Sequence, residues 1–178
     1  IVGEFRELSA ITSSRYNEAI IHETGEVISK DTADQILIHG LMENGAPTSV
    51  HIQGGVNSKF ELEIQGKKGI LRLSQNPSLG HIQFGNLTLE KLIHEPSNEQ
   101  SHAPNGDFET ISIAHEPDST LDFPKEGVTL NVAKAHHVFA RDILTDTRLA
   151  PDFNHALKLH QLLDRIEESA TTGKKIVW

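Results

Sequence analysis

The stretch that decides the fold is GGVNSKFELEIQGKKGILRLSQ, residues 54–75. Its apolar residues, three before the turn GKKG and three after it, are Phe60, Leu62, Ile64, Ile70, Leu71 and Leu73. A period of two places alternate side chains on one face of a strand. The stretch therefore predicts two antiparallel strands joined by a tight turn.

A second hairpin is predicted from DQILIHGLMENGAPTSVHIQGG, residues 34–55. Asn44-Gly45 separates two apolar-rich runs, and this dipeptide is a strong hairpin signal because both residues tolerate positive φ. We expect strands near 34–43 and 47–53. Looser apolar patterns predict further strands at 4–12, at 81–93 with a break at Gly85-Asn86, and at 109–115.

After Val128 the apolar period changes to that of a helix. Val132, Ala135, Phe139 and Ile143 recur at spacings of three and four, which predicts an amphipathic helix to about Leu144.

A second helix is predicted to start at Pro151, with Asp152 as its cap, and to end at Gly173. Its expected buried stripe is Phe153, Ala156, Leu159, Leu163, Ile166 and Ala170. The last residues, KKIVW, are expected to form a terminal strand.

This order of elements predicts an α+β fold: a mostly antiparallel, open-faced sheet with helices packed on one face. We expect residues 1–178 to form a single domain. A sheet with apolar residues on both faces needs a partner for its bare face, so a homodimer through the open sheet face, or docking of another domain on it, is expected.

Composition excludes several classes of protein. The formal net charge is −9 and only two Lys-Lys pairs occur, so no basic stripe exists for nucleic acid. No apolar run approaches the roughly 20 residues of a membrane helix. Cysteine is absent, which removes disulfides and thiolate metal sites and suits a cytoplasmic location. Because the chain begins at Ile1 rather than Met, we expect a fragment or a processed product.

Motifs for catalysis and cofactor binding are missing from the sequence. None of the eleven histidines belongs to an H-E-x-x-H pattern, so no metal site is predicted. Gly40 and Gly45 have P-loop spacing, but Ala46-Pro47 follows where Lys-Ser/Thr is required. Gly54-Gly55 is not a dinucleotide fingerprint, so no cofactor is expected in this chain.

The loop from Ser13 to Asp31 is the candidate for contact with a small-molecule substrate. Arg15 and Tyr16 are its candidate substrate-binding residues, because polar and aromatic side chains on a strand-exit loop can orient a hydroxylated ligand. An ordinary surface loop is an equally acceptable interpretation.

The succession of motifs along the chain resembles the C-terminal domain of the Gfo/Idh/MocA oxidoreductase family. The matching pieces are GEFRELSA, DQILIHGLMENGAPTSVHIQGG, ELEIQGKKGILRLSQ and PDFNHALKLHQLLDRIEESATTGKKIVW. The most specific are I-x-G-x-x-G-x-L at 64–71 and the closing run at 151–174. Gly54-Gly55 and Asp34-Gln35 are most similar to the subgroup that contains the yeast galactose-regulon repressor.

The resemblance implies a glyceraldehyde-3-phosphate-dehydrogenase-like C-terminal domain that shapes a substrate pocket and forms a dimer. It also implies a preceding Rossmann domain that holds NAD or NADP. The family's catalytic Lys lies in an E-K-P motif, and its catalytic Asp and His lie in a D-x-x-x-H helix. Neither motif is present here, so no catalytic residue is assigned and the isolated chain is expected to be inactive.

Two functions remain open. The first is the substrate-binding and dimerisation domain of an NAD(P)-dependent oxidoreductase acting on a sugar, polyol or related hydroxyl compound. The second is the C-terminal domain of a catalytically silent, cofactor-sensing transcriptional regulator that resembles the galactose-regulon repressor.

Overall fold

The computed structural model describes residues 2–54, 59–75, 82, 87–93, 106–112 and 127–178. The elements in these ranges are β1 (Phe5–Ser13), β2 (Glu18–Ile20), β3 (Val27–Ser29), β4 (Gln35–Met42), β5 (Pro47–Gln53), β6 (Glu61–Gly66), β7 (Gly69–Gln75), β8 (Leu87–Ile93), β9 (Glu109–Thr110), α1 (Gly127–Thr145), α2 (Phe153–Thr172) and β10 (Ile176–Val177). Every strand pairing in the described part is antiparallel, and the α+β fold class is confirmed.

The chain divides into two compact units, here called the first unit (residues 1–56 and 151–178) and the second unit (residues 57–150). The strands are distributed over three sheets rather than one. The first unit holds a four-stranded sheet in the order β10-β1-β4-β5 and a separate hairpin, β2-β3. The second unit holds a four-stranded sheet in the order β6-β7-β8-β9.

In the first unit, α2 packs on β1 and β10. The core consists of Leu8, Ala10, Ile38 and Ile166, with Phe5, Ile36, Leu162 and Ala170 packed around it. Ser169 lies in this apolar surrounding at 1% exposure. Its Oγ accepts the backbone N–H of Ala10 at 3.0 Å and donates to the carbonyl of Lys174 at 2.7 Å. One helix side chain thus joins β1 to the segment that leads into β10.

The predicted ends of α2 are confirmed. Asp152 accepts the backbone N–H of His155 at 2.8 Å, and Gly173 closes the helix with φ of 67°. The terminal strand is also confirmed, since Leu8 pairs with Ile176.

The predicted buried stripe of α2 is wrong along its first half. Phe153 is 94% exposed, and Leu159 and Leu163 are exposed as well. Burial is confined to the last turns, where Leu162, Ile166, Ser169 and Ala170 face the core. Helical spacing indicates which residues share a face, but the length of helix that meets the sheet depends on tertiary packing.

The predicted hairpin of β4 and β5 is confirmed, and the structure shows its turn type. Only Gly45 has positive φ, at 84°; Asn44 does not. The N–H of Met42 donates to the carbonyl of Ala46 at 2.9 Å, which leaves a three-residue loop with glycine at its left-handed position. Asn44 contributes its side chain instead: Oδ1 accepts the N–H of Ala46 at 2.9 Å.

The face of the first unit's four-stranded sheet opposite α2 is here called the open face. By strand alternation it carries Glu7, Ser9, Ile11, Leu37, His39, Leu41, Ser49, His51, Gln53 and Val177. Ile11 lies directly opposite Leu37, and both are exposed. Apolar residues therefore occur on this face as well as on the core face: Ile11, Leu37, Leu41 and Val177 lie among polar side chains.

In the second unit, the opening stretch forms the predicted hairpin β6-β7. Leu62 pairs with Leu73 and Ile64 with Leu71 on one face, around the turn at Lys67-Lys68. Ile70 points to the other face, where it pairs with Leu92.

The second face of this sheet carries charged groups around Arg72. Its guanidinium stacks on the ring of Phe108 at 3.7 Å and contacts Glu63 at 3.2 Å. A hydrogen bond from Gln65 and then the contact with Arg72 lower the pKa of Glu63.

The helix predicted after Val128 is confirmed as α1, but its expected apolar stripe is exposed, with Phe139 at 58% and Ile143 at 69%. Asp142 closes the helix end by accepting the N–H groups of Leu149 and Ala150 at 2.9 and 2.7 Å. These bonds lower the pKa of Asp142.

Within the described residues, no helix has the length and apolar character needed to cross a membrane.

Several predictions fall outside the described residues. These are the strand segment at 81–86 apart from Ile82, the break at Gly85-Asn86, residue Gly55, and the end of the predicted strand at 113–115. From that strand the structure describes β9, and from the stretch at 81–93 it describes β8.

Candidate functional site

The candidate site is built on the segment between β1 and β2, which carries both residues selected from the sequence. The backbone N–H of Arg15 donates to Asp34 Oδ1 at 2.9 Å. The N–H of Tyr16 donates to Asp34 Oδ2 at 3.0 Å. Asp34 lies immediately before β4, so one carboxylate holds the exit of β1 against the entry of the neighbouring strand.

Two further side chains reach the same carboxylate. Lys30 Nζ lies 2.9 Å from Asp34 Oδ2 and 3.3 Å from the carbonyl oxygen of Tyr16. Gln35 Nε2 lies 3.4 Å from Asp34 Oδ1. The side chain of Asp34 is only 4% exposed, yet it accepts hydrogen bonds from four donors.

The surroundings of Asp34 stabilise its charged form. The hydrogen bond from Lys30 contributes most, followed by those from the N–H groups of Arg15 and Tyr16, and together they hold the pKa of Asp34 far below its ordinary value. Burial acts in the opposite direction but does not prevail. Asp34 is therefore ionised at neutral pH.

A cavity of about 410 Å³ opens beside this carboxylate. Its lining residues are Tyr16, Glu18, Ala19, Lys30, Ala33, Asp34 and Gly54. The volume lies in the range of small-molecule sites. The walls offer an aromatic ring, an ammonium group and carboxyl groups, which are the groups that hydrogen-bond or stack on a hydroxylated ligand.

Of the two residues selected from the sequence, Tyr16 lines this cavity and Arg15 does not. The guanidinium of Arg15 lies over the ring of Tyr16 at 5.7 Å from its centroid, so the two side chains are neighbours. Sequence reasoning missed Glu18 and Lys30 as wall residues. It noted Asp34 only as part of a motif, because a carboxylate before a strand does not reveal which distant N–H groups will reach it.

A second cavity, of about 310 Å³, lies in the four-stranded sheet of the first unit around Gly40. Its charged residues Glu7 and Lys175 pair with each other at 3.2 Å. Within the ranges described above, no group of three or more histidine, aspartate or glutamate side chains is arranged to hold a metal ion.

Comparison with known proteins supports the resemblance read from the sequence. Residues 1–75 match the family model described as Gal80p, C-terminal domain. No curated protein sequence matches the chain.

Solved structures share the fold over nearly the whole chain. A super-repressor mutant of Gal80p from Saccharomyces cerevisiae superposes with a TM-score of 0.71 at 18% identity, covering 99% of this chain and 45% of that one. Levoglucosan dehydrogenase in complex with NADH and levoglucosan gives 0.68 at 20% identity, with 99% and 45% covered. Aldose-aldose oxidoreductase from Caulobacter crescentus, complexed with glycerol, gives 0.63 at 14% identity, with 99% and 42% covered.

The chain thus spans less than half the length of each of these structures. Their likeness establishes the fold, and the family model matches residues 1–75, which are less than half of the chain. The resemblance read from the motifs is confirmed as a likeness to this C-terminal domain.

Proposed function

We propose, from the C-terminal fold that this chain shares with Gal80p and with two oxidoreductases of sugars, that it is the substrate-binding and dimerisation domain of an NAD(P)-dependent oxidoreductase. The substrate would be a sugar, polyol or related hydroxyl compound. The single observation that carries the proposal is the cavity beside Asp34, whose wall includes Tyr16.

The charges around the cavity favour a neutral ligand. Among the residues that line the cavity, Lys30 pairs with Asp34 at 2.9 Å, and Glu18 adds a second carboxyl group. A sugar phosphate or sugar acid would therefore find no unpaired cation in the cavity wall. A neutral polyhydroxyl compound can instead use the same groups as hydrogen-bond donors and acceptors.

The rest of the catalytic machinery is assigned to polypeptide that precedes Ile1. Under this proposal residues 1–178 act as one C-terminal domain beside an N-terminal Rossmann domain that binds NAD or NADP. That domain would supply the hydride acceptor and the catalytic groups, and the protein would be cytoplasmic. This chain's own residues would bind and orient the substrate.

A second candidate function is a catalytically silent, cofactor-sensing transcriptional regulator. The match of residues 1–75 to the Gal80p C-terminal model favours it, as does the superposition on Gal80p. Both candidates share this C-terminal fold. They differ in whether the catalytic motifs are present in the N-terminal domain and in whether a substrate is oxidised.

The deciding experiment uses the full-length protein with its upstream segment. We expect NADH or NADPH to form, measured by absorbance, when NAD⁺ or NADP⁺ is supplied with levoglucosan or with a panel of aldoses and polyols. Cofactor binding without turnover on any member of the panel would favour the regulator. Absence of cofactor binding would contradict both candidates.

Substitution of Tyr16 tests the assigned site in that assay. We expect Tyr16→Ala to raise KM about tenfold while kcat stays within about twofold, because it removes a ground-state contact with the substrate. Arg15→Ala should also raise KM, but less, because the Arg15 guanidinium lies over the Tyr16 ring and does not line the cavity. Ile20→Ala is the control, since Ile20 is 71% exposed on β2 and does not line the cavity. An unchanged KM in both site variants would remove the assignment.

The proposed homodimer through the open face has its own test. We expect the chain to be a dimer in light scattering at micromolar concentration, and Leu37→Glu to make it monomeric. The reason is that the carboxylate introduced at position 37, directly opposite Ile11, would have to be buried in the dimer interface. Val27→Glu, on the exposed β3 strand, is the matched control and should remain dimeric. A monomeric wild-type chain would contradict this partner assignment.

A further inference from the structure

Asp34 is a buried carboxylate that joins three separate parts of the first unit. Its side chain accepts the N–H groups of Arg15 and Tyr16, which follow β1, and the ammonium group of Lys30, which follows β3. Its backbone is held as well. The N–H of Asp34 donates to the carbonyl of Ser13 at 3.1 Å, and its carbonyl accepts the N–H of Gly54 at 2.6 Å.

The hydrogen bonds around Asp34 form a closed ring. Lys30 Nζ donates both to Asp34 Oδ2 and to the carbonyl of Tyr16, while the N–H of Tyr16 donates to the same Oδ2. The peptide of Tyr16 is therefore held at its N–H and at its carbonyl oxygen. Little freedom remains for the backbone that carries the Tyr16 ring.

Only a carboxylate can satisfy this set of donors. Two carboxylate oxygens accept from four donors, whereas an asparagine amide offers one oxygen and would turn its NH₂ group toward N–H donors. Gly54 also leaves room for this side chain: a Cβ built at position 54 would lie 3.3 Å from Asp34 Cβ, so a larger residue there would crowd Asp34.

Two walls of the candidate cavity therefore depend on one side chain. Tyr16 and Lys30 line the cavity, and each is held by Asp34. We infer that Asp34 is a positioning residue: it fixes the Arg15-Tyr16 segment and Lys30 in the geometry that the cavity presents to its ligand. What the cavity binds rests on the proposed function, whereas the positioning itself does not.

The test is hydrogen exchange of backbone amides, followed by NMR on the chain without ligand. In Asp34→Asn we expect at least one of the Arg15 and Tyr16 amides to exchange roughly tenfold faster or more, because one amide oxygen replaces two acceptors. The Ala10 amide, which is held by Ser169 in the core, should keep its wild-type rate. A general loss of stability would instead accelerate all three amides together.

Asp142→Asn provides the matched control in the second unit. Asp142 also accepts two backbone N–H groups, from Leu149 and Ala150. Asp142→Asn should accelerate exchange of those two amides and leave the exchange rates of Arg15 and Tyr16 unchanged.

If Asp34→Asn does not fold, Lys30→Met is the second test. It removes one hydrogen-bond donor of the ring, so the Tyr16 amide is expected to exchange faster.

Two results would overturn the inference. In a folded Asp34→Asn chain, the Arg15 and Tyr16 amides could keep their wild-type exchange rates, or all amides including that of Ala10 could be accelerated equally. In the Lys30→Met chain an unchanged Tyr16 rate would do the same. Because no ligand is present, these results are separate from the assay of sugar oxidation. A positive exchange result with no turnover would retain the positioning role and remove the proposed substrate.

Discussion

Replacement of Gly40 by alanine is expected to destabilise the first unit by about 3 kcal/mol or more, a large part of the 5–15 kcal/mol that is typical of a domain. Gly40 pairs with Leu8 in the β1-β4 ladder. A Cβ at this position would overlap the carbonyl oxygen of Glu7 and lie 2.9 Å from Leu8 Cα. These are backbone atoms of a central strand, so relief requires β1 and β4 to separate.

Urea unfolding measures this effect, with the fluorescence of Trp178 as the probe. Trp178 is the single tryptophan of the chain and belongs to the first unit, where its backbone N–H donates to the carbonyl of Arg6. Gly66→Ala is the control, and because Gly66 lies in the second unit its unfolding is followed by far-UV circular dichroism. Gly66 is also a strand glycine, but the nearest atom to its added Cβ is 3.6 Å away. We expect the control to change stability by less than about 1 kcal/mol. Equal effects of the two variants would argue against the close approach at Gly40.

The second large effect is expected for Ser169→Ala, which should lower the free energy of unfolding by about 2–4 kcal/mol. The variant keeps the size of the side chain nearly unchanged but removes its hydroxyl. The buried N–H of Ala10 and the carbonyl of Lys174 would both lose their partner, and an unsatisfied buried polar group costs about 1–3 kcal/mol.

The same unfolding measurement applies to Ser169→Ala, with Ser29→Ala as the control. Ser29 is exposed on β3, so the same substitution there should change stability by less than about 0.5 kcal/mol. A Ser169 effect as small as that of Ser29 would mean that water replaces the hydroxyl at both partners. The loss should also accelerate exchange of the Ala10 amide, which links this variant to the exchange experiment on Asp34.

Local chemistry explains why the hairpins and helix ends could be predicted. The turn at Lys67-Lys68, the cap at Asp152 and the closing glycine at Gly173 all depend on residues within a few positions of one another. Such short-range signals can be recognised from the sequence alone. At Asn44-Gly45 the dipeptide predicted the hairpin but not its turn type, since it is compatible with both two-residue and three-residue loops.

Predictions that needed long-range packing were less complete. The period of α2 suggested a stripe from Phe153 to Ala170, but only the last turns meet the sheet. In α1 the predicted stripe is exposed, and the half-buried positions among the described side chains are instead Leu130, Ala133, Lys134, His137, Val138 and Asp142. A hydrophobic period gives an ordering of residues around a helix, whereas burial depends on what lies beside it.

By itself, the sequence determined the order of the longer strands and of both helices, the ends of α2, the resemblance to one C-terminal domain, and Arg15 and Tyr16 as candidates; it did not predict β2 and β3. Tertiary structure alone decided that Asp34 holds those two residues, that Lys30 and Glu18 join Tyr16 around a cavity, and that Ser169 connects helix to strand. The physical reason is distance along the chain. A turn or a cap is satisfied by near neighbours, but the partners of a buried carboxylate or hydroxyl are selected when remote segments pack and exclude water.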